Sequence, residues 1–348
     1  MEIYYITILF FSGCGFLYEK LALDYRNTDR MKLIIFVIIV FSIIYGFRFE
    51  VGVDWFNYIN VYERQVADIW SFNTLEVGYK ALNVIAYYVD IGIVTVIFLS
   101  TVLFITFTML GVKKAGINPF YFFAIVAPYH LVMSGVNYTR QGVALSVFIY
   151  AVACLINNKK NQFLVFIILA GSFHTSAFCF APLYFIEHKK RYAVLLFALI
   201  IPPIVYSMLT EYSQYIDSTM ESSGVYLRSV FLLAPTVLLL LHINTVKTFS
   251  LIEQRLVFIV ICSFPLVILF SVLSSTIADR FAYYFILLST LCWMLVSKRN
   301  TNVNARFLKP YGNFILFITA MLAFVVWTLY TKYIKQYEFD SYFNYWLS

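Results

Sequence analysis

With 348 residues, of which 62% are hydrophobic and only 12% charged, the chain carries more apolar side chain than a water-soluble domain can bury. That composition excludes an ordinary soluble enzyme and points to one multi-span helical membrane domain. The net charge of +7 is what Lys and Arg held in cytoplasmic loops produce, so it argues for membrane orientation and against a nucleic-acid partner.

The first predicted span is Ile3 to Leu23, long enough to cross a bilayer core at 1.5 Å per residue. Lys20 near its end and Arg26, Arg30 and Lys32 after it place the following loop in the cytoplasm and the N-terminus outside. Span two, Leu33 to Phe47, delivers Arg48 to the outer face. Phe49 to Glu76 is acidic and reads as an external loop. After it, Leu82, Ile85, Ala86 and Val89 share one helical face, opposite Lys80, Asn83, Tyr87 and Asp90, which predicts an amphipathic helix at the outer interface and an external unit over 48–92.

Ile93 to Val112, Pro119 to Met133 and Tyr138 to Ile156 are spans three to five, with Lys113, Lys114, Lys159 and Lys160 at cytoplasmic ends and Arg140 at an outer end. The run Lys189-Lys190-Arg191 also belongs in the cytoplasm, yet Gln162 to Glu187 is too short for two full crossings. A hairpin of two short helices, broken near Gly171-Ser172-Phe173-His174, satisfies both signals and puts His174 at its tip. Tyr192 to Leu209, Ser229 to Val246, Leu256 to Ser275, Phe281 to Ser297 and Phe314 to Thr331 complete the spans, with an external loop over 211–228. The expectation is an all-α, polytopic membrane helical bundle of about twelve crossings, both termini outside, in a single domain 1–348. The five cysteines, Cys14, Cys154, Cys179, Cys262 and Cys292, sit in apolar runs and read as packing residues.

Four arginines, Arg48, Arg140, Arg228 and Arg280, fall at or near outer span ends, against the orientation signal. Any one of them reads equally as a headgroup-snorkelling side chain or a local ion pair, as Arg280 with Asp279. Four at one face suit a diphosphate or an anionic glycan, which a guanidinium fork binds bidentately. Asp54 follows Gly52 and precedes Trp55 and Tyr58, a tight turn beside rings that could stack on sugar, whereas Glu50 reads as a solvated loop charge. His174 is a general base by its ordinary titration range, or else a structural histidine bonded to backbone. There is no glycine-rich phosphate loop, Gly-x-Ser-x-Gly elbow, paired-His helix or Asp-x-Asp pair, so no metal, ATP or other cofactor is expected.

The residues Arg48-Phe-Glu-Val-Gly-Val-Asp54 with Tyr58, then Glu76-Val-Gly-Tyr79, Arg140-Gln141, Phe173-His-Thr-Ser176 and Asp279-Arg280 with Tyr283 resemble, in order, the EpsG/Wzy-type family of bacterial polysaccharide polymerases. The resemblance implies an inner-membrane glycosyltransferase, similar in fold to the lipid-linked-sugar (GT-C-like) class, with its site facing the periplasm. It implies two undecaprenyl-diphosphate-linked glycans as donor and acceptor, and a flippase and a chain-length regulator as partners in the bilayer. Arg48, Arg140 and Arg280 would surround the diphosphate, with Arg228 a further candidate and Tyr58, Gln141 and Tyr283 beside them. His174 is favoured as base and Asp54 competes. A flippase for the same lipid-linked sugar is the main rival; a membrane O-acyltransferase and a structural partner of a chain-length regulator are the others.

Overall fold

A computed structural model describes residues 1–24, 26–71, 74–188, 225–273, 275–299 and 308–347. Among the described residues twelve longer helices run in order: α1 Glu2–Leu23, α2 Asn27–Gly46, α3 Trp55–Ala67, α4 Val77–Val89, α5 Ile93–Lys114, α6 Pro119–Tyr129, α7 Thr139–Ile156, α8 Lys160–Phe173, α9 Val225–Leu241, α10 Leu251–Leu273, α11 Ser275–Arg299 and α12 Leu308–Tyr330. A π-helix, His130–Asn137, continues α6, a 3₁₀ helix, Thr175–Phe185, follows α8, and short helices Ile334–Tyr337 and Tyr342–Leu347 close the chain. Among the described residues the β-pairing is one isolated bridge, Arg48 to Ser341.

The protein is an all-α polytopic membrane bundle. Among the described residues seven helices are long and apolar enough to cross a membrane: α1, α5, α6 with its π extension, α7, α10, α11 and α12. The remaining expected crossings differ in kind. α2 carries Asp29, Arg30 and Lys32 in its first turns, and both arms of the hairpin are shorter apolar helices. The expected span 192–209, the run 189–191 and most of the expected loop 211–228 lie outside the described residues.

Local chemistry sets several boundaries. Asn118 caps α6 by accepting from the backbone N–H groups of Phe120 and Tyr121, with Pro119 in the first turn. Its amide also donates to Gly15 O at 2.9 Å and Glu19 Oε1 at 3.0 Å, which ties α6 to α1. Pro128 cannot donate to the helix ladder, and the helix widens to π two residues later. α8 stops at Phe173 and the 3₁₀ helix opens at Thr175, so the hairpin breaks at His174. Its feet are joined by the ion pair Lys160–Glu187.

α7 is the buried axis of the bundle, enclosed by α5, α8, α11 and the π segment. Gly142 permits that approach: a Cβ there would stand 2.5 Å from the Ser134 carbonyl oxygen, a backbone atom with little room to yield. Gly142→Ala is expected to lose about 1–3 kcal/mol through overpacking, read as a lower thermal midpoint in detergent.

The two ends of the bundle differ in charge. Lys113 and Lys114, Lys159 and Lys160, and Lys298 and Arg299 share one end, where Asn157 Nδ2 donates to Lys114 O and Arg299 pairs with Glu253 at 2.6 Å. The other end gathers the last turn of α2, all of α3 and α4, the π segment, the start of α7, His174 and the C-terminal segment.

Two local expectations change there. The stretch expected as loop contains α3, whose buried face is Trp55 and Tyr58 at helical spacing. The face that α4 buries is Tyr79, Lys80, Leu82, Asn83 and Ala86, while Ile85 and Val89 are exposed. Lys80 and Asn83 can be buried because α3 and its following turn supply acceptors: Asp68 O at 3.0 Å and Ser71 for Lys80 Nζ, and Gln65 Oε1 at 2.5 Å for Asn83 Nδ2.

Candidate active site

The floor is Arg48. It stands where α2 ends and the π-helix ends, both with their carbonyls facing it. Its Nη1 donates to Tyr45 O at 2.8 Å and Thr101 Oγ1 at 3.3 Å, and its Nη2 to Gly135 O at 3.3 Å, Val136 O at 3.1 Å and Thr139 Oγ1 at 3.0 Å. The side chain is 1% exposed. A guanidinium there satisfies orphan carbonyls and the negative poles of two helices at once, and among the described residues no carboxylate pairs with it.

Above it the chain crosses the π-helix end through Gly52, whose φ of +107° suits glycine and whose Cβ, if present, would stand 3.2 Å from Val136 O. Asp54 N–H then donates to Asn137 Oδ1 at 3.0 Å, fixing Asp54 at the start of α3. The C-terminal segment straps this loop: Phe49 N–H donates to Asp340 O at 3.0 Å, Gly52 N–H to Gln336 O at 2.7 Å and Tyr342 N–H to Phe47 O at 2.9 Å.

Around Asp54 the walls come from four elements. Arg140, in the first turn of α7, pairs with Glu76 Oε2 at 2.6 Å, and its guanidinium carbon lies 5.9 Å from the Tyr58 ring centre and 5.7 Å from that of Tyr79. Arg280, on α11, donates from Nη1 to Gln141 Oε1 at 3.1 Å, while Gln141 Nε2 donates to Arg280 O at 3.0 Å. This reciprocal pair fixes α7 to α11 and holds the Arg280 guanidinium 5.0 Å from the Tyr138 ring centre, with Tyr283 6.1 Å beyond Tyr138. His174 Nδ1 lies 2.7 Å from Ser176 Oγ, which lies 2.9 Å from the Tyr284 hydroxyl.

The electrostatics join these walls. Burial pushes the Asp54 carboxyl above its ordinary range, opposed first by Arg280 and then by Arg140. Burial also pushes the Tyr58 phenol up to about 12, opposed by Arg140. The charges of Arg280 and Arg140 act on His174 as well. Among the described residues no donor bonds the Asp54 carboxylate, which leaves a half-buried anion between two guanidiniums.

Of the residues singled out in the sequence, the fold gathers Asp54, Tyr58, Arg140, Gln141, His174, Arg280 and Tyr283 around one site and puts Arg48 beneath it. Arg228 lies in the first turn of α9 with its side chain outside the described residues. Glu76, Tyr79 and Ser176 stand in the motifs that carry the resemblance but receive no role from the sequence, and Tyr284 is not singled out there at all. A signal existed for the first two, since Glu76 and Tyr79 are one helical turn apart. Among the described residues no three His, Cys, Asp or Glu side chains are grouped as metal ligands.

The chain matches the model of a family described as the EpsG family over residues 31–345. No curated protein and no solved structure matches the chain.

Proposed function

The chain belongs to the EpsG family, and from that premise we propose that it is a metal-independent membrane glycosyltransferase that joins undecaprenyl-diphosphate-linked repeat units into a surface polysaccharide such as O-antigen. The observation that carries the reading is the convergence of Arg140, Arg280 and Asp54 from three separate elements on one site at one end of the bundle. That end is the acidic one, and the Lys and Arg runs mark the opposite end as cytoplasmic, so the site faces the periplasm. The long apolar faces of the spanning helices would admit polyprenyl tails from the bilayer, in keeping with a lipid-linked-sugar, GT-C-like architecture.

The donor glycan leaves a diphosphate, already a good leaving group. The protein's tasks are to hold that anion, stabilise charge as the anomeric C–O bond breaks, and take the proton of the attacking hydroxyl. Arg140 and Arg280 are suited to the first two, helped by the positive N-terminal pole of α7. Glu76 sets the rotamer of Arg140, and Gln141 that of Arg280. Half-buried Tyr138 offers its ring face to sugar, while the buried Tyr58, Tyr79 and Tyr283 form the wall around the two guanidiniums. Asp54 is the base: its carboxylate has no bonded donor and its proton affinity is raised. His174, which sequence reasoning favours for that role, has Nδ1 committed to Ser176.

The test is reconstitution of the purified protein with an undecaprenyl-diphosphate-linked repeat unit in the presence of EDTA. Wild type is expected to give a ladder of longer lipid-linked glycans. Arg140→Ala and Arg280→Ala should each lose about 10²–10³ in rate, the cost of removing one preorganised anion donor. Movement of the substrate across the liposome with no ladder would replace the polymerase by a flippase.

A further inference from the structure

We infer that the C-terminal segment 334–343 is a positioning element: it holds the 47–54 loop in a conformation the loop would not keep alone, and so sets where the Asp54 carboxylate stands. The catalytic consequence rests on reading Asp54 as the base of a polymerase; the hold on the loop does not.

The loop is costly by its own chemistry. Between α2 and α3 it puts two residues in the left-handed region, Glu50 at φ +53° and Gly52 at φ +107°. Glycine takes that conformation freely, but a glutamate keeps it only where neighbours hold it. The C-terminal segment supplies the hold from the far end of the sequence. Ser341 pairs with Arg48 as an antiparallel bridge. Two donors of the segment meet on the Phe47 carbonyl, Tyr342 N–H at 2.9 Å and Ser341 Oγ at 3.0 Å. In return the loop donates Phe49 N–H to Asp340 O at 3.0 Å and Gly52 N–H to Gln336 O at 2.7 Å, so the bonds bracket Glu50 on both sides.

Rings interleave along the same seam: Tyr45 with Phe339 at 5.5 Å, Phe47 with Phe343 at 5.2 Å and Phe49 with Tyr342 at 4.8 Å between centres. Phe49 in turn meets Trp55, the buried first residue of α3, at 6.3 Å. The segment is itself pinned by buried Tyr337, which packs edge-on against Trp327 of α12 and donates its hydroxyl to Met133 Sδ of the π segment at 3.7 Å. Position therefore passes from α12 and the π segment through the C-terminal segment to the loop, while Asn137 fixes the loop's other end at Asp54 N–H. Arg140 and Arg280 stand on α7 and α11, so loosening the loop displaces the carboxylate and leaves the guanidiniums in place. A reacting group misplaced by about 1 Å costs about 10² in rate, and the loss falls on turnover more than on binding.

The experiment uses the full chain carrying Ser341→Ala and Tyr342→Pro, which removes both donors to Phe47 O and the ring on Phe49. Proline fits there because Tyr342 opens the last short helix. Hydrogen–deuterium exchange of the protein in nanodiscs is expected to show the 47–54 peptide exchanging about tenfold faster than in wild type, with α5 and α7 unchanged. Tyr342→Phe, which keeps the N–H and the ring, should restore the protection. In the polymerisation assay the double variant should lose about 10² in kcat with KM held within about threefold. That loss should nearly vanish in an Asp54→Asn background, because a positioning element acts through the residue it places. Unchanged loop exchange would overturn the inference, as would a rate loss that simply multiplies that of Asp54→Asn. If the double variant fails to fold, Ser341→Ala alone, which leaves the backbone intact, decides by the same outcomes. A wild type that makes no ladder, with faster loop exchange in the variant, would overturn the placement of a base together with the polymerase reading, while supporting the hold on the loop.

Discussion

Arg48→Ala will destabilise the site end of the molecule before it changes any binding constant. The substitution strands the carbonyls of Tyr45, Gly135 and Val136 and leaves Thr101 and Thr139 facing a cavity. Each buried polar group left without a partner costs about 1–3 kcal/mol, and the substitution strands several at once. Set against a total stability of about 5–15 kcal/mol, that is enough to lower the thermal midpoint sharply or prevent accumulation of the folded protein. Arg48→Lys should recover only part of the loss, because an ammonium with three donors cannot span acceptors on two helix ends. The measurement is thermal unfolding in detergent, followed by size-exclusion profile. An Arg48→Ala protein with the wild-type midpoint and weakened substrate binding would make Arg48 a ligand of the diphosphate, not a brace.

Asp54→Asn is expected to do the reverse, removing activity and sparing the fold. In the proposed role of base, Asp54 would contribute about 10²–10⁴ in rate, and asparagine keeps its shape without proton affinity. The stability sign follows from the raised proton affinity. A carboxyl that binds its proton more tightly folded than unfolded costs stability when ionised, and that cost disappears as pH falls through the folded value. At neutral pH the neutral amide removes the cost, so the thermal midpoint should hold or rise. Wild-type kcat/KM should fall on the acid side at a pH above the ordinary carboxylate range, because only ionised Asp54 accepts the proton, and the variant should lose that limb along with its rate. An Asp54→Asn enzyme with near-normal turnover would return the base to another residue.

What could be read from the sequence differs by element. The long spans and the break at His174 are local properties: hydropathy fixes the first, and two flanking cationic runs leave too little chain for two full crossings. α3 was hidden because an acidic stretch reads as solvated loop, while its helix rests on burying Trp55 and Tyr58. The buried face of α4 was misassigned because Lys80 and Asn83 look like solvent-facing residues until the turn at 68–71 and Gln65 are placed beside them.

The site divides in the same way. Residue type and order along the chain marked Arg48, Asp54, Arg140, His174 and Arg280 as residues that a membrane does not explain, since charge at a span end carries a desolvation cost wherever it lies. Their separate roles depended on partners far away in sequence. Arg48 is a brace because two helix C-termini meet on it, Arg140 is oriented by Glu76 across 64 positions, and His174 is a capped ring because Tyr284 arrives from α11. The sequence by itself determined the class, the spans and the set of unusual charges, because each is a property of a residue and its near neighbours. Only the tertiary structure decided which charges meet across elements and which face carbonyls, because a hydrogen bond depends on distance and direction between groups that the chain alone leaves unspecified.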